Sequence, residues 1–261
     1  MKNEVESNKA LQALKALSAA RLGLQRAGSS ISTRDILKFD LDHARARDAV
    51  HLAFDIAKMK TQLKDLGLEL LELQSAASDR STYLQRPDLG RKLAERSVED
   101  LKNFQSTKSQ TYDLGIFIAD GLSSRAIHTN ALPFLRDFLP LAENNNWTCA
   151  PLTIVNQGRV AIADEIGEIL KTRLSIILIG ERPGLSAADS MGIYITYEPR
   201  VGRNDSERNC LSNIRQGGLS SLLAAEKLEK LIQNIFCMGV SGVDVKEGAD
   251  TLIDHKTKLN D

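Results

Sequence analysis

Apolar residues in the first half of the chain recur at helical spacing. Leu52, Ile56, Met59, Leu63, Leu66, Leu70 and Leu73 follow one another at intervals of 4, 3, 4, 3, 4 and 3 residues. That spacing puts all seven on one stripe of a single helix, predicted to pack lengthwise on another, with Gly67 weakening it slightly. A shorter stripe, Leu11, Leu14 and Leu17, lies near the amino terminus. No proline precedes Pro87, and residues 1–110 are rich in Ala, Leu, Lys, Arg, Glu and Gln. These residues lose least on entering a helix, so residues 1–110 are predicted to be a helical amino-terminal region.

After Tyr112 the pattern changes to short apolar runs, each ended by Gly, Asn or Pro and followed by a longer helix-like segment. This alternation predicts an α/β domain over 111–261, an open, mostly parallel, Rossmann-like sheet with helices on both faces. Strands are expected at Leu114 to Ala119, Leu152 to Val155, Leu174 to Ile179 and Ile193 to Tyr197. Helices are expected at Asn130 to Glu143, Ala161 to Lys171 and Leu219 to Phe236.

Composition narrows the function more than the fold. The 261 residues carry 34 basic and 34 acidic side chains, so the chain has no net positive field of the kind that phosphate-backbone binding needs. Nucleic acid is therefore not an expected partner. Cys149, Cys210 and Cys237 are too far apart for a CxxC pair or a zinc ribbon, and a reducing cytosol suits them. The most apolar run, Leu174 to Ile179, is far short of the roughly 20 residues of a membrane-spanning helix, and residues 1–20 lack a signal-peptide core.

Ligands of open α/β sheets bind outside the carboxyl ends of the strands, where loops and helix amino termini converge. The loops expected there are Asp120-Gly121-Leu122-Ser123, Asn156-Gln157-Gly158-Arg159-Val160, Gly180-Glu181-Arg182-Pro183-Gly184-Leu185 and Glu207-Arg208-Asn209-Cys210-Leu211-Ser212-Asn213-Ile214. Glycine and proline in the third allow close backbone approach to a flat ligand while holding Glu181 in place; the same residues would also suit an ordinary turn. No GxxxxGK[ST], GxGxxG, HExxH or GxSxG string occurs. His43, His51, His128 and His255 show no i, i+4 pairing that would make a two-histidine metal face. Asp120, Ser123 and His128 lie close in sequence without a strand-turn-helix elbow, and His43 to Asp48 reads as a solvated helix face.

The strings Arg21 to Gly28 (RLGLQRAG), His43 to Val50 (HARARDAV), Arg86 to Leu93 (RPDLGRKL), Asp120 to Ser123 (DGLS), Gly180 to Leu185 (GERPGL) and Asn213 to Gly218 (NIRQGG) together resemble the small (light) subunit of ethanolamine ammonia-lyase. The resemblance runs in order from about Arg21 to Phe236. It implies a non-autonomous subunit of a hetero-oligomeric lyase, with adenosylcobalamin lying between this chain and a larger, barrel-shaped subunit that holds most of the ethanolamine site. It also implies a radical conversion of ethanolamine to acetaldehyde and ammonia, in which the cofactor carries the hard chemistry.

By motif, the resemblance puts cobalamin contacts on Val160, Glu181 and Cys210, and assigns this chain neither a catalytic residue nor a metal ligand. The chain lacks a D-x-H-x-x-G segment, so the cofactor is expected to keep its own lower base. Family members often carry a longer amino-terminal extension that directs them to a bacterial microcompartment. Here about 20 residues precede the first matching string, and the expected location is such a compartment or the free cytosol. A non-catalytic α/β module holding a nucleotide-like ligand at the same strand ends is the alternative.

Overall fold

The computed structural model describes residues 13–15, 22, 24 and 26–245. Of the short amino-terminal stripe only Leu14 lies among them, and it is exposed; Leu11 and Leu17 lie outside the described residues. Strands β1 (Arg26–Ala27) and β2 (Ser30–Ile31) pair antiparallel. They lead into helix α1 (Thr33–His51), whose amino end is capped by Ser32 accepting from the Asp35 N–H. Helix α2 (Ile56–Leu63) follows, capped in the same way by Asp55.

The seven-position stripe does not form one helix. Leu52 lies in the link after α1; Ile56, Met59 and Leu63 are in α2; and Leu66 closes a short 3-10 turn. Gly67 ends that turn at φ 69°, a left-handed conformation that suits glycine and stops the helix. Leu70 and Leu73 then belong to strand β3 (Leu70–Gln74), which pairs in parallel with β5 (Leu152–Asn156). The ladder of backbone hydrogen bonds to a strand 82 positions away outweighs the local helical spacing. The amino-terminal region is mostly helical, but β3 carries part of it into the sheet.

Helices α3 (Arg80–Gln85) and α4 (Glu95–Lys108) lead to strand β4 (Tyr112–Ala119), helix α5 (Ser124–Asn144) and β5. Then come helix α6 (Ile162–Leu170) and strands β6 (Thr172–Gly180), β7 (Met191–Tyr197) and β8 (Arg208–Ile214), followed by helix α7 (Ser221–Met238). The six-stranded sheet has the order β3-β5-β4-β6-β7-β8. Its first four strands are parallel, whereas β7 and β8 run antiparallel to their neighbours.

The fold class is therefore the expected α/β one, with a mixed, mostly parallel sheet. The expected strand over Ile193 to Tyr197 exists but is antiparallel, because the Glu181–Ser190 connection is too short for a crossover. Strand β8 was expected to be a loop. Its polar residues Asn209, Cys210, Ser212 and Asn213 hide it, since an edge strand buries only part of its length.

Both faces carry helices. On one, Met59 and Leu63 of α2, Phe134 and Phe138 of α5 and Leu228 and Ile232 of α7 pack against Leu114, Ile116, Ile176 and Leu178. On the other, Leu101 of α4 and Ile162, Ile166 and Leu170 of α6 pack against Phe117, Val155, Ile177 and Ile179. Burying these side chains supplies the main driving force for folding.

Candidate functional site

Strand direction fixes where the site residues fall. The carboxyl ends of β3, β5, β4 and β6 lie along one edge of the sheet. Since β7 runs back along β6 and β8 back along β7, the start of β7 and the end of β8 share that edge. Gly121 and Gly180 bring the ends of β4 and β6 into contact: a β-carbon on Gly121 would lie 2.3 Å from the Gly180 carbonyl oxygen. Only glycine permits that approach.

Glu181 follows β6 directly, half-buried, and is held on several sides. Its N–H donates to the Ser190 carbonyl at 2.9 Å, and Ser190 Oγ donates to its Oε2 at 2.5 Å. The Asn213 N–H, at the end of β8, reaches both carboxylate oxygens at 3.4 Å. These last contacts are long, so the carboxylate keeps acceptor capacity for another donor. Gly192 lies against the same carboxylate, and an added β-carbon there would sit 3.0 Å from Oε1.

Cys210 lies within β8 rather than beyond a strand end, directly opposite Tyr194 of β7. Directly paired residues project from the same face, here the face covered by α6. That helix packs on β4 and β6, leaving Tyr194 half-buried and Cys210 exposed beside it. Removal from water pushes the Tyr194 phenol up to about 12, reinforced by Cys210 and by the Glu181 charge. Desolvation also raises the Cys210 thiol, with Glu181 adding to the shift and a hydrogen bond with Tyr194 opposing it. Both groups are neutral at pH 7. Glu181, Tyr194 and Cys210 thus form one electrostatically connected strip, ending at the carboxyl edge.

Val160 reaches the same face from the turn before α6, half-buried on the core formed by Phe117, Val155 and Ile177. Beside it lies a cleft of about 430 Å³ walled by Arg91, Lys92, Ala161, Arg203, Asn204 and Asp205. A buried ion pair braces this region: Arg208 donates to both Asp164 oxygens at 2.6 Å and to Thr196 Oγ1 at 2.8 Å. Two of the three predicted contacts, Glu181 and Cys210, are therefore brought together through Tyr194. Val160, in the turn before α6, packs on the same sheet face as Tyr194.

Asp120, Ser123 and His128 do not assemble into a nucleophilic set. Asp120 is 1% exposed in its side chain and pairs with Arg80 at 2.9 Å. Burial pushes it up to about 6, against the pull of Arg80 and of the Gly158 and Gln157 N–H groups. Ser123 caps α5 and donates to the Ala188 carbonyl, while His128 Nε2 accepts from the Asp55 N–H. Among the described residues no group of three or more His, Cys, Asp or Glu could hold a metal ion. No helix among them is long and apolar enough to cross a membrane.

Sequence reasoning missed Tyr194, Ser190 and Gly192. Tyr194 lies inside the expected strand Ile193 to Tyr197, where nothing local marks it, and no local signal distinguishes Gly192 from a turn glycine.

Comparison with known proteins agrees with the motif resemblance. The family model described as ethanolamine ammonia-lyase light chain (EutC) matches residues 8–246. A protein of Pseudomonas putida (strain W619) named ethanolamine ammonia-lyase small subunit is 51% identical over 249 residues, covering 95% of this chain and 92% of its own. Proteins of the same name from Xanthomonas campestris pv. campestris (strain ATCC 33913) and Azotobacter vinelandii (strain DJ) are 50% and 48% identical, covering 91% and 92% of this chain and 87% and 88% of their own.

Proposed function

The chain belongs to the ethanolamine ammonia-lyase light-chain family, and from that premise we propose that it is the cobalamin-contacting, non-autonomous subunit of such an enzyme. A large barrel subunit supplies the opposite wall of the site and most of the ethanolamine contacts. The substrate is ethanolamine and the products are acetaldehyde and ammonia. The observation that carries this reading is the strip Glu181-Tyr194-Cys210, which runs along one sheet face from the half-buried Glu181 to the exposed Cys210, with its phenol and thiol both neutral at pH 7.

The residues present fit adenosylcobalamin. Its corrin is a broad, nearly flat macrocycle fringed with amide side chains, and Gly192 lets the Glu181 carboxylate lie close against β7, where a β-carbon would sit 3.0 Å from Oε1. Glu181 can accept amide or ribose donors, because the Asn213 N–H holds it only at 3.4 Å. Val160 supplies an apolar contact, and the neutral Cys210 thiol a small, weakly polar one. When bound, the cofactor supplies a radical that abstracts hydrogen from substrate.

This chain's residues orient the cofactor and exclude water from its face; none of them moves a proton in the reaction. The amino-terminal part of the chain is assigned to contacts with the large subunit, in keeping with the exposed Ile36, Leu37, Phe39 and Leu41 of α1. The enzyme works in a bacterial microcompartment or in the free cytosol.

The test is ammonia release from ethanolamine by this chain, by the large subunit and by the two mixed, each with and without adenosylcobalamin. Activity is expected only in the complete mixture. Ammonia release by this chain alone overturns the reading, as does inactivity of the complete mixture of folded subunits.

A further inference from the structure

The loop that carries Val160 is gripped from one segment of the chain, residues 80–90. Arg80 is central to that grip. Its Nη1 donates to Asp120 Oδ2 at 2.9 Å, to the Gly121 carbonyl at 2.8 Å and to Gln157 Oε1 at 3.4 Å. The other Asp120 oxygen accepts from the Gly158 N–H at 3.3 Å. Tyr83, fully buried, donates its hydroxyl to the Gly158 carbonyl at 3.1 Å, and the Arg159 N–H donates to the Gly90 carbonyl at 2.7 Å. Both the Arg80 and Arg159 guanidinium groups lie against the Tyr83 ring, 4.9 and 4.2 Å from its centroid.

Two further features make this grip more than general packing. Gln157 has φ 57°, a left-handed conformation that a non-glycine residue holds only where its surroundings over-determine it. Arg80 Nε also donates to the Val50 carbonyl at 2.7 Å, at the carboxyl end of α1. There a helix leaves its last carbonyls without internal partners and favours a cation. A single side chain, about 15% exposed, thus ties the exposed helix α1 to the β4 edge and to the strained loop.

Building on the functional reading above, we propose that Arg80 is a positioning residue of the cofactor site: through Gly121 and through Asp120, whose other oxygen accepts from the Gly158 N–H, it fixes the strained loop 157–159 and thereby the place of Val160. It does not touch the cofactor. Loss of the guanidinium contacts releases Gln157 to right-handed backbone, and the Val160 turn shifts with it.

Complexes of the large subunit with wild-type, Arg80→Gln and Arg80→Lys small subunits are titrated with hydroxocobalamin by its visible absorption, well below the unfolding temperature. Assembly is followed by sedimentation. Arg80→Gln is expected to raise the Kd about ten-fold or more, the scale on which supporting residues act on a site, with sedimentation unchanged. Arg80→Lys, which keeps the charge but not the fork, should fall between.

A wild-type Kd in the assembled Arg80→Gln complex, whatever its Tm, overturns the proposal. If that variant does not fold, Arg80→Gln/Asp120→Asn, which removes both buried charges together, is titrated with the same two outcomes. Failure of the wild-type complex to bind hydroxocobalamin instead overturns the functional reading on which the proposal rests.

Discussion

Gly192 and Glu181 are fitted to each other across the start of β7: a β-carbon on Gly192 would meet Glu181 Oε1 at 3.0 Å and its Cγ at 3.3 Å. Gly192→Ala should therefore push the carboxylate out of its place between Ser190 and Asn213. Stability should change by less than about 1 kcal/mol, because alanine also restricts the unfolded chain. Hydroxocobalamin affinity of the assembled enzyme should fall several-fold. Equal affinity in the variant would show that Glu181 has no fixed role in binding.

Glu181→Gln removes the charge and keeps the shape and most hydrogen bonds. Cofactor retention on gel filtration should fall while association with the large subunit is kept. Equal loss of both would make Glu181 a structural residue.

The same substitution has a chemical signature at Cys210. Desolvation and, as a smaller contribution, the Glu181 charge hold the Cys210 thiol up, so removal of that charge should raise the fraction of thiolate and speed alkylation by iodoacetamide at pH 8. The measurement is made in a Cys237→Ser background, because Cys237 is also exposed. Cys149, pushed up to about 11 by burial, stays slow. An unchanged rate would mean that Glu181 and Cys210 are not electrostatically coupled.

Asp164 and Arg208 are 3% and 2% exposed in their side chains, and their forked contact joins α6 to β8. Arg208→Met leaves a buried carboxylate alone and should cost about 3–5 kcal/mol in urea unfolding. Asp164→Asn/Arg208→Met should recover much of that loss. If the single variant lost less than about 1 kcal/mol, water would have to reach Asp164.

Asp120 sets one pH dependence. Burial lifts it to about 6, above the ordinary aspartate range near 4, so between those values the folded state binds more protons than the unfolded chain. Its contribution therefore makes stability fall as pH rises through that window, opposite to a salt-bridged surface carboxylate. Urea unfolding of wild type and Asp120→Asn from pH 4 to 7 should show wild type losing ground relative to the variant as pH rises. A constant difference would place the folded-state value near 3.8.

Local pattern alone determined the core of the α/β reading. The runs at Leu114 to Ala119, Leu152 to Val155 and Leu174 to Ile179 are continuous and apolar because parallel strands bury both faces, and all three are strands. The motif strings placed the chain in its family, and they named Glu181 and Cys210, which the fold brings beside Tyr194.

Tertiary structure decided what depends on distant partners. Leucines at helical spacing across Gly67 became a strand because β5 offers them a ladder. The polar segment from Arg208 to Ile214 became β8 because an antiparallel β7 was there to pair with it. The grip of Arg80 on Asp120, Gln157 and Val50 spans up to 77 positions in sequence. No local spacing encodes such contacts: they exist only once the sheet edge has brought those residues within hydrogen-bonding distance.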